Sequence, residues 1–143
     1  MLKGINPILG PEFLATLRAM GHGDEIAIVD GNYPAETDAV RLIRTDGLHF
    51  IPVLDAILSV FPIDDFVAEA MFRSVNAKSP ETLDPIHIAM EETCAKWEPE
   101  KHVTPLAPAE FYARVKTAHV IVATSEPSLY ANMILRKGVI APA

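Results

Sequence analysis

The chain has very little cysteine: Cys94 stands alone, so no disulfide can close within it and no Cys-x-x-Cys pair exists. Its five histidines, His22, His49, His87, His102 and His119, show neither His-x-His nor His-Glu-x-x-His spacing, so no metal site is expected. The glycine-rich phosphate loops G-x-G-x-x-G and G-x-x-x-x-G-K-[ST] are missing, which excludes nucleotide binding through them. Positive charge is in the minority. Twelve Lys and Arg against nineteen Asp and Glu give a net charge of −7, and no basic stripe is present to neutralise phosphates, so nucleic acid is excluded as a partner. No apolar run approaches the roughly 18 residues of a membrane helix. The opening segment, Met1 to Phe13, lacks the apolar core and the small-residue cleavage site of a signal peptide. A cytoplasmic protein without membrane attachment is expected.

Hydrophobicity is what the chain has in abundance. Its 143 residues are 50% hydrophobic and 22% charged, with a mean hydropathy of +0.21, which excludes intrinsic disorder. Neither an internal repeat nor a linker divides the sequence, and residues 1–143 read as a single domain. A chain of this size buries about 68–70% of its unfolded surface and needs no staple. The hydrophobic surplus points to further burial at a subunit contact. Twelve prolines suggest short elements with firm stops.

Pro11 opens a helical pattern through Phe13, Leu14, Leu17 and Met20, which Gly21 ends. Ile26 to Val29 is a short apolar run read as a buried strand, with Asp30 at its end and a Gly31-Asn32-Tyr33-Pro34 loop beyond. Ile51, Leu54, Ile57, Leu58 and Phe61 share one helical face, and Phe66 to Phe72 reads as another strand. Asp84-Pro85 is an N-cap with proline at the first helical position, followed by Ile86, Met90, Thr93 and Trp97 at helical spacing. A helix runs from Pro108 to near Ala118, and His119 to Thr124 is the clearest strand. Beyond the Ser125–Ser128 loop, Met133 to Leu135 is a further apolar stretch. Strands alternating with helices predict an α/β layered fold.

Two clusters can carry chemistry. In Gly21-His22-Gly23-Asp24-Glu25 the histidine lies between glycines, a poor setting for a helix or strand. An imidazole titrates near pH 6.5 and so serves as proton donor and acceptor at neutral pH. Asp30, emerging at a strand end, could orient that imidazole and set its tautomer. The residues alone leave a simpler reading open, with His22 in a turn and Asp30 capping the next element. In Tyr130-Ala131-Asn132 an aromatic ring with a hydroxyl stands beside an amide that both donates and accepts, which suits a sugar. A core tyrosine beside a turn asparagine is the alternative. Cys94, on an amphipathic helix, reads as a small buried hydrophobe.

Together these segments resemble the L-fucose mutarotase and D-ribose pyranase family (RbsD/FucU-like proteins). The resemblance rests on Met1-Leu2-Lys3-Gly4-Ile5, Gly21-His22-Gly23-Asp24-Glu25-Ile26, Asp30 with Tyr33-Pro34, and Ile43-Arg44-Thr45-Asp46-Gly47. It continues through Phe111-Tyr112, Val120 to Thr124, Leu129-Tyr130-Ala131-Asn132 and Leu135-Arg136-Lys137-Gly138-Val139, nearly the whole chain. What the resemblance implies is a three-layer α/β/α fold with a central mixed sheet. The implied activity is that of a cofactor-free, metal-free isomerase interconverting the anomers of a free monosaccharide, L-fucose or a related 6-deoxyhexose or pentose. A non-catalytic sugar-binding or regulatory protein keeping the same pocket is the alternative. The resemblance also implies self-association as a ring, commonly a homodecamer, with sites at subunit contacts. It makes His22 the catalytic histidine, and makes Asp30, Tyr130, Ala131 and Asn132 the sugar contacts, with Asp30 expected also to hold His22. Where the family has a basic substrate contact ahead of the Phe-Tyr pair this chain has Pro108, with His102 or Arg114 as candidate substitutes. Alanine at 131 resembles the ribose branch, whereas most other segments resemble the fucose branch.

Overall fold

A computed structural model describes residues 1–143. A six-stranded sheet forms its centre, built from β1 (Glu25–Val29), β2 (Leu42–Thr45), β3 (Met71–Arg73), β4 (Thr104–Pro105), β5 (Val120–Thr124) and β6 (Met133–Arg136). The strand order is β2-β5-β1-β6-β3-β4. β5 runs parallel to β1 and β2, β6 runs antiparallel to β1 and β3, and β4 is parallel to β3. The sheet is therefore mixed, with β2 and β4 at its edges.

Helices cover both faces. On one side α1 (Pro11–Ala19), α3 (Phe50–Leu58) and α4 (Pro85–Trp97) bury Phe13, Leu17, Phe50, Leu54, Ile57, Met90 and Cys94 against Ile26, Ile28, Val122, Met133 and Leu135. On the other, α2 (Ala35–Asp38) and α5 (Pro108–Lys116) bury Ala35, Phe111 and Val115 against Ala27, Val29, Ile121, Ala123 and Ile134. The strand period of two sends alternate residues of β1 and β5 to opposite faces. Both faces are covered, so these strands read as unbroken apolar runs in place of a polar–apolar alternation. The result is the expected three-layer α/β/α arrangement. No helix is long and apolar enough to cross a membrane.

The expected strand from Phe66 to Phe72 is shorter than its apolar composition suggested. Only Met71–Arg73 pair into the sheet, and Phe66 is 69% exposed. Asp64 accepts the Phe66 backbone N–H and turns the chain here, and the alanines that follow supply little side chain to bury. The short α2, β2 and β4 carry no periodic signal and escape a reading of the sequence by pattern.

Cys94, on the inner face of α4, is buried. Burial, with Glu91 and Glu98 nearby, pushes its thiol up to about 12, and a thiol is nucleophilic only as thiolate. Iodoacetamide at pH 8 should therefore leave the native chain unmodified and alkylate one group once it is unfolded. Rapid native labelling, followed by mass spectrometry, would contradict this burial.

Candidate functional site

The polar groups singled out in the sequence fall at two opposite ends of β1. His22 precedes the strand and Asp30 follows it. Five residues of strand at about 3.3 Å each put roughly 17 Å between these ends. Within one chain His22 and Asp30 do not meet.

At the first end, α1 stops at Ala19 and the Lys137 ammonium donates to the carbonyls of Leu17 and Met20. It satisfies acceptors that a helix C-terminus leaves open and suits the negative end of the helix dipole. Gly23 then adopts φ +87°, the left-handed region that favours glycine, and its N–H donates to the Lys137 carbonyl at 2.8 Å. His22, side chain 38% exposed, is thereby presented from a docked turn. Its Nε2 lies 3.0 Å from Asp64 Oδ1, and its ring meets the Phe66 ring edge-on at 4.9 Å.

Asp64, which no motif in the sequence marks, is the group that orients the histidine within the chain; the expectation that Asp30 holds it is corrected. The Asp64 side chain is fully enclosed. Oδ1 accepts the Phe66 N–H at 3.0 Å and Oδ2 accepts the Arg136 Nε–H at 2.8 Å. Burial alone would raise this carboxyl, but the Phe66, Arg136 and His22 contacts outweigh it and hold it down at about 2. An ionised carboxylate only accepts, so His22 must donate from Nε2, which leaves Nδ1 as the free lone pair. Gly138 makes this junction possible, because a Cβ there would lie 2.6 Å from the Ile63 carbonyl oxygen and 2.7 Å from Asp64 Cα.

At the second end, Asp30 and Asn132 pair reciprocally. Asn132 Oδ1 accepts the Asp30 N–H at 2.9 Å, and Asn132 Nδ2 donates to Asp30 Oδ2 at 3.2 Å. Both residues are buried. Burial pushes the Asp30 carboxyl up, against the hydrogen bonds from the N–H of Asn32 and the side chain of Asn132. Asp30, Asn32, Tyr33, Pro34, Tyr112, Leu129, Tyr130 and Asn132 line a cavity of about 190 Å³. Tyr33 and Tyr112 stack at 5.8 Å to form an aromatic wall, and the Tyr33 hydroxyl donates to Asp38 at 2.9 Å. The cavity is smaller than the roughly 300–1,000 Å³ pockets of drug-sized ligands, and it sets carboxylate, amide and phenol groups against flat apolar rings.

Of the predicted contacts, Asp30, Tyr130 and Asn132 are brought together here. Ala131 adjoins them, but its methyl is fully buried in the core and only its backbone N–H faces the Asp30 carboxylate. No Lys, Arg or His lines the cavity. Pro108 begins α5, where the missing N–H costs nothing. The suggested substitutes do not serve within the chain. Arg114 is held by Glu25 through three contacts of 2.7–3.0 Å at the far end of β1, and His102 lines a separate cavity with Asp64 and Asp65.

This architecture and paired site define an α/β/α protein that presents a compact polar cavity and a carboxylate-held histidine from the two ends of one strand. A sequence model of the RbsD / FucU transport protein family matches residues 3–140, and the chain belongs to that family. It is 38% identical to the L-fucose mutarotase of Haemophilus influenzae (strain 86-028NP), over 97% of each chain. It is also 38% identical to the fucose mutarotase of Homo sapiens, over 98% of this chain and 95% of that one. Among solved structures, the fucose mutarotase of Streptococcus pneumoniae in complex with L-fucose superposes with a TM-score of 0.90 at 40% identity, covering 98% of this chain and 100% of that one.

Proposed function

We propose that this chain is a carbohydrate isomerase that interconverts the α and β anomers of a free monosaccharide, L-fucose or a close 6-deoxyhexose or pentose. The observation that carries the reading is the cavity at the end of β1, where the Asp30–Asn132 pair faces the Tyr33–Tyr112 wall. Sugar hydroxyls need paired donors and acceptors, and the ring face needs an apolar wall. The two relatives and the fucose-bound structure carry fucose mutarotase names, which supports the choice of sugar.

The reaction moves protons and breaks one C–O bond. His22 Nδ1 takes the proton of the anomeric hydroxyl, the bond from the anomeric carbon to the ring oxygen breaks, and the imidazolium returns that proton to the ring oxygen, leaving the open aldehyde and a neutral His22. Rotation about the C1–C2 bond and the reverse transfers close the ring on the other face. Asp64 keeps Nε2 protonated so that Nδ1 can work, while Asp30, Tyr130 and Asn132 orient the sugar. His22 and the cavity stand at opposite ends of β1, so His22 serves the cavity of a second copy in a closed ring of subunits, a homodecamer by resemblance. The acidic chain with one reduced, buried cysteine accords with the cytoplasm.

A second reading, sugar binding without turnover, draws on the absence of a basic side chain from the cavity. Saturation-transfer NMR on L-fucose, D-ribose and related free sugars separates the two. The expected outcome is accelerated exchange between anomeric signals, strongest for L-fucose. A sugar that raises the melting temperature with no acceleration would favour binding alone, and neither effect with any sugar would overturn the proposal.

A further inference from the structure

Tyr130 is the one residue other than glycine with a positive φ, 61°, a conformation that is unusual for a residue carrying a Cβ. Something must hold this backbone there, and the position matters because Tyr130 lines the candidate sugar cavity and Asn132 follows two residues on. Its carbonyl is turned inward and accepts two hydrogen bonds, from Ser74 Oγ at 2.8 Å and from His87 Nε2 at 3.1 Å.

Both donors are buried and neither lines the cavity. His87 is fully enclosed, in the first turn of α4. Its Nδ1 accepts the backbone N–H of Asp84 at 3.3 Å. That bond fixes the neutral tautomer with its proton on Nε2, so the ring can donate only toward Tyr130. Ser74 also donates its N–H to the Asn132 carbonyl at 3.0 Å, and its Oγ lies 3.4 Å from Asn132 Nδ2. The pair thus ties the Tyr130–Asn132 segment to the N-terminus of α4 and to the strand end after β3.

We propose that His87 and Ser74 are positioning residues that clamp the Tyr130 carbonyl and so set the sugar-facing geometry of Tyr130 and Asn132. Neither touches the sugar; both act through the loop. The inference rests on the sugar-site reading above.

The test uses the full-length protein with three variants: His87→Leu, which removes the donor; His87→Gln, whose amide N–H can replace it; and Ser74→Ala. His87→Leu should raise the KM for L-fucose exchange roughly tenfold, because it leaves a buried carbonyl short of a partner, while kcat changes by less than about threefold. His87→Gln should recover most of the affinity, and Ser74→Ala should raise KM by a smaller factor. A purely structural role would lower the melting temperature and leave KM of the folded protein unchanged. Wild-type KM in both His87→Leu and Ser74→Ala would therefore overturn the proposal. If His87→Leu fails to fold, Ser74→Ala and His87→Gln decide the matter alone. Hydrogen exchange of the unliganded protein reads the clamp without any sugar. Residues 130–132 should exchange faster in His87→Leu or Ser74→Ala, and unchanged protection in both would also overturn it. If the wild-type chain binds no sugar, the sugar reading fails, while the exchange data still judge the clamp.

Discussion

His22→Ala is expected to abolish accelerated anomer exchange, a loss of about 10²–10⁴-fold, which is the range for removing a positioned general acid–base group. Saturation transfer between the anomeric signals of L-fucose measures it directly. The variant should fold normally. His22 is partly exposed, and its removal leaves Asp64 still bound to Arg136 and the Phe66 N–H. Binding should weaken far less than exchange, since Asp30, Tyr130 and Asn132, which orient the sugar in the cavity, remain in place. Full exchange in His22→Ala would remove the histidine from the mechanism. A complementation experiment then tests where it acts. Asn132→Ala should also be inactive, because it strips the amide that pairs with Asp30. Co-expressed with His22→Ala, it should regain exchange if the proposed site is shared between copies, since mixed oligomers would then contain sites with an intact histidine from one copy and an intact cavity from another. No recovery would mean that the two ends of β1 do not work across copies.

The second large effect is expected at Asp64. Asp64→Asn should destabilise the fold by about 3 kcal/mol, the low end for breaking a buried ion pair because Arg136 keeps access to water. The acid limb of stability should change with it. The folded carboxyl is held below its ordinary value of 3.8, at about 2. A depressed carboxylate contributes its stability in full above the unfolded value and loses it as pH falls through the folded one. Wild-type stability from this group is thus lost between pH 3.8 and about 2, and the Asn variant should show a flatter profile there. Urea unfolding at a series of pH values gives both numbers. Identical acid limbs would show that Asp64 does not carry the pair. Exchange activity should fall too, because an amide at this position no longer requires the proton to stay on His22 Nε2.

The long elements were legible because burial writes itself into composition. Ile26–Val29 and Val120–Thr124 lie at the middle of the sheet and must be apolar on both faces. Pro11, Pro85 and Pro108 mark helix starts where a missing N–H is tolerated. The segment from Phe66 misled for the same reason in reverse, since its apolar residues are spent on a loop that leaves Phe66 in solvent. Edge elements such as Leu42–Thr45 take their form from a neighbouring strand and not from a local period.

A single cysteine rules out a disulfide within the chain and the acidic balance argues against a polyanionic partner, while the glycine-flanked His22 and the Tyr130-Ala131-Asn132 run mark polar groups that neither helix nor strand explains. These are local properties, visible wherever the chemistry of a few adjacent residues conflicts with regular structure. Partnership across the chain is different. That Asp64 holds His22 from 42 residues away, that Asp30 instead pairs with Asn132 102 residues away, and that His87 and Ser74 share the Tyr130 carbonyl depends on which strand ends the sheet brings side by side. Hydrogen bonds act over about 3 Å, and only the strand order β2-β5-β1-β6-β3-β4 decides which groups come that close.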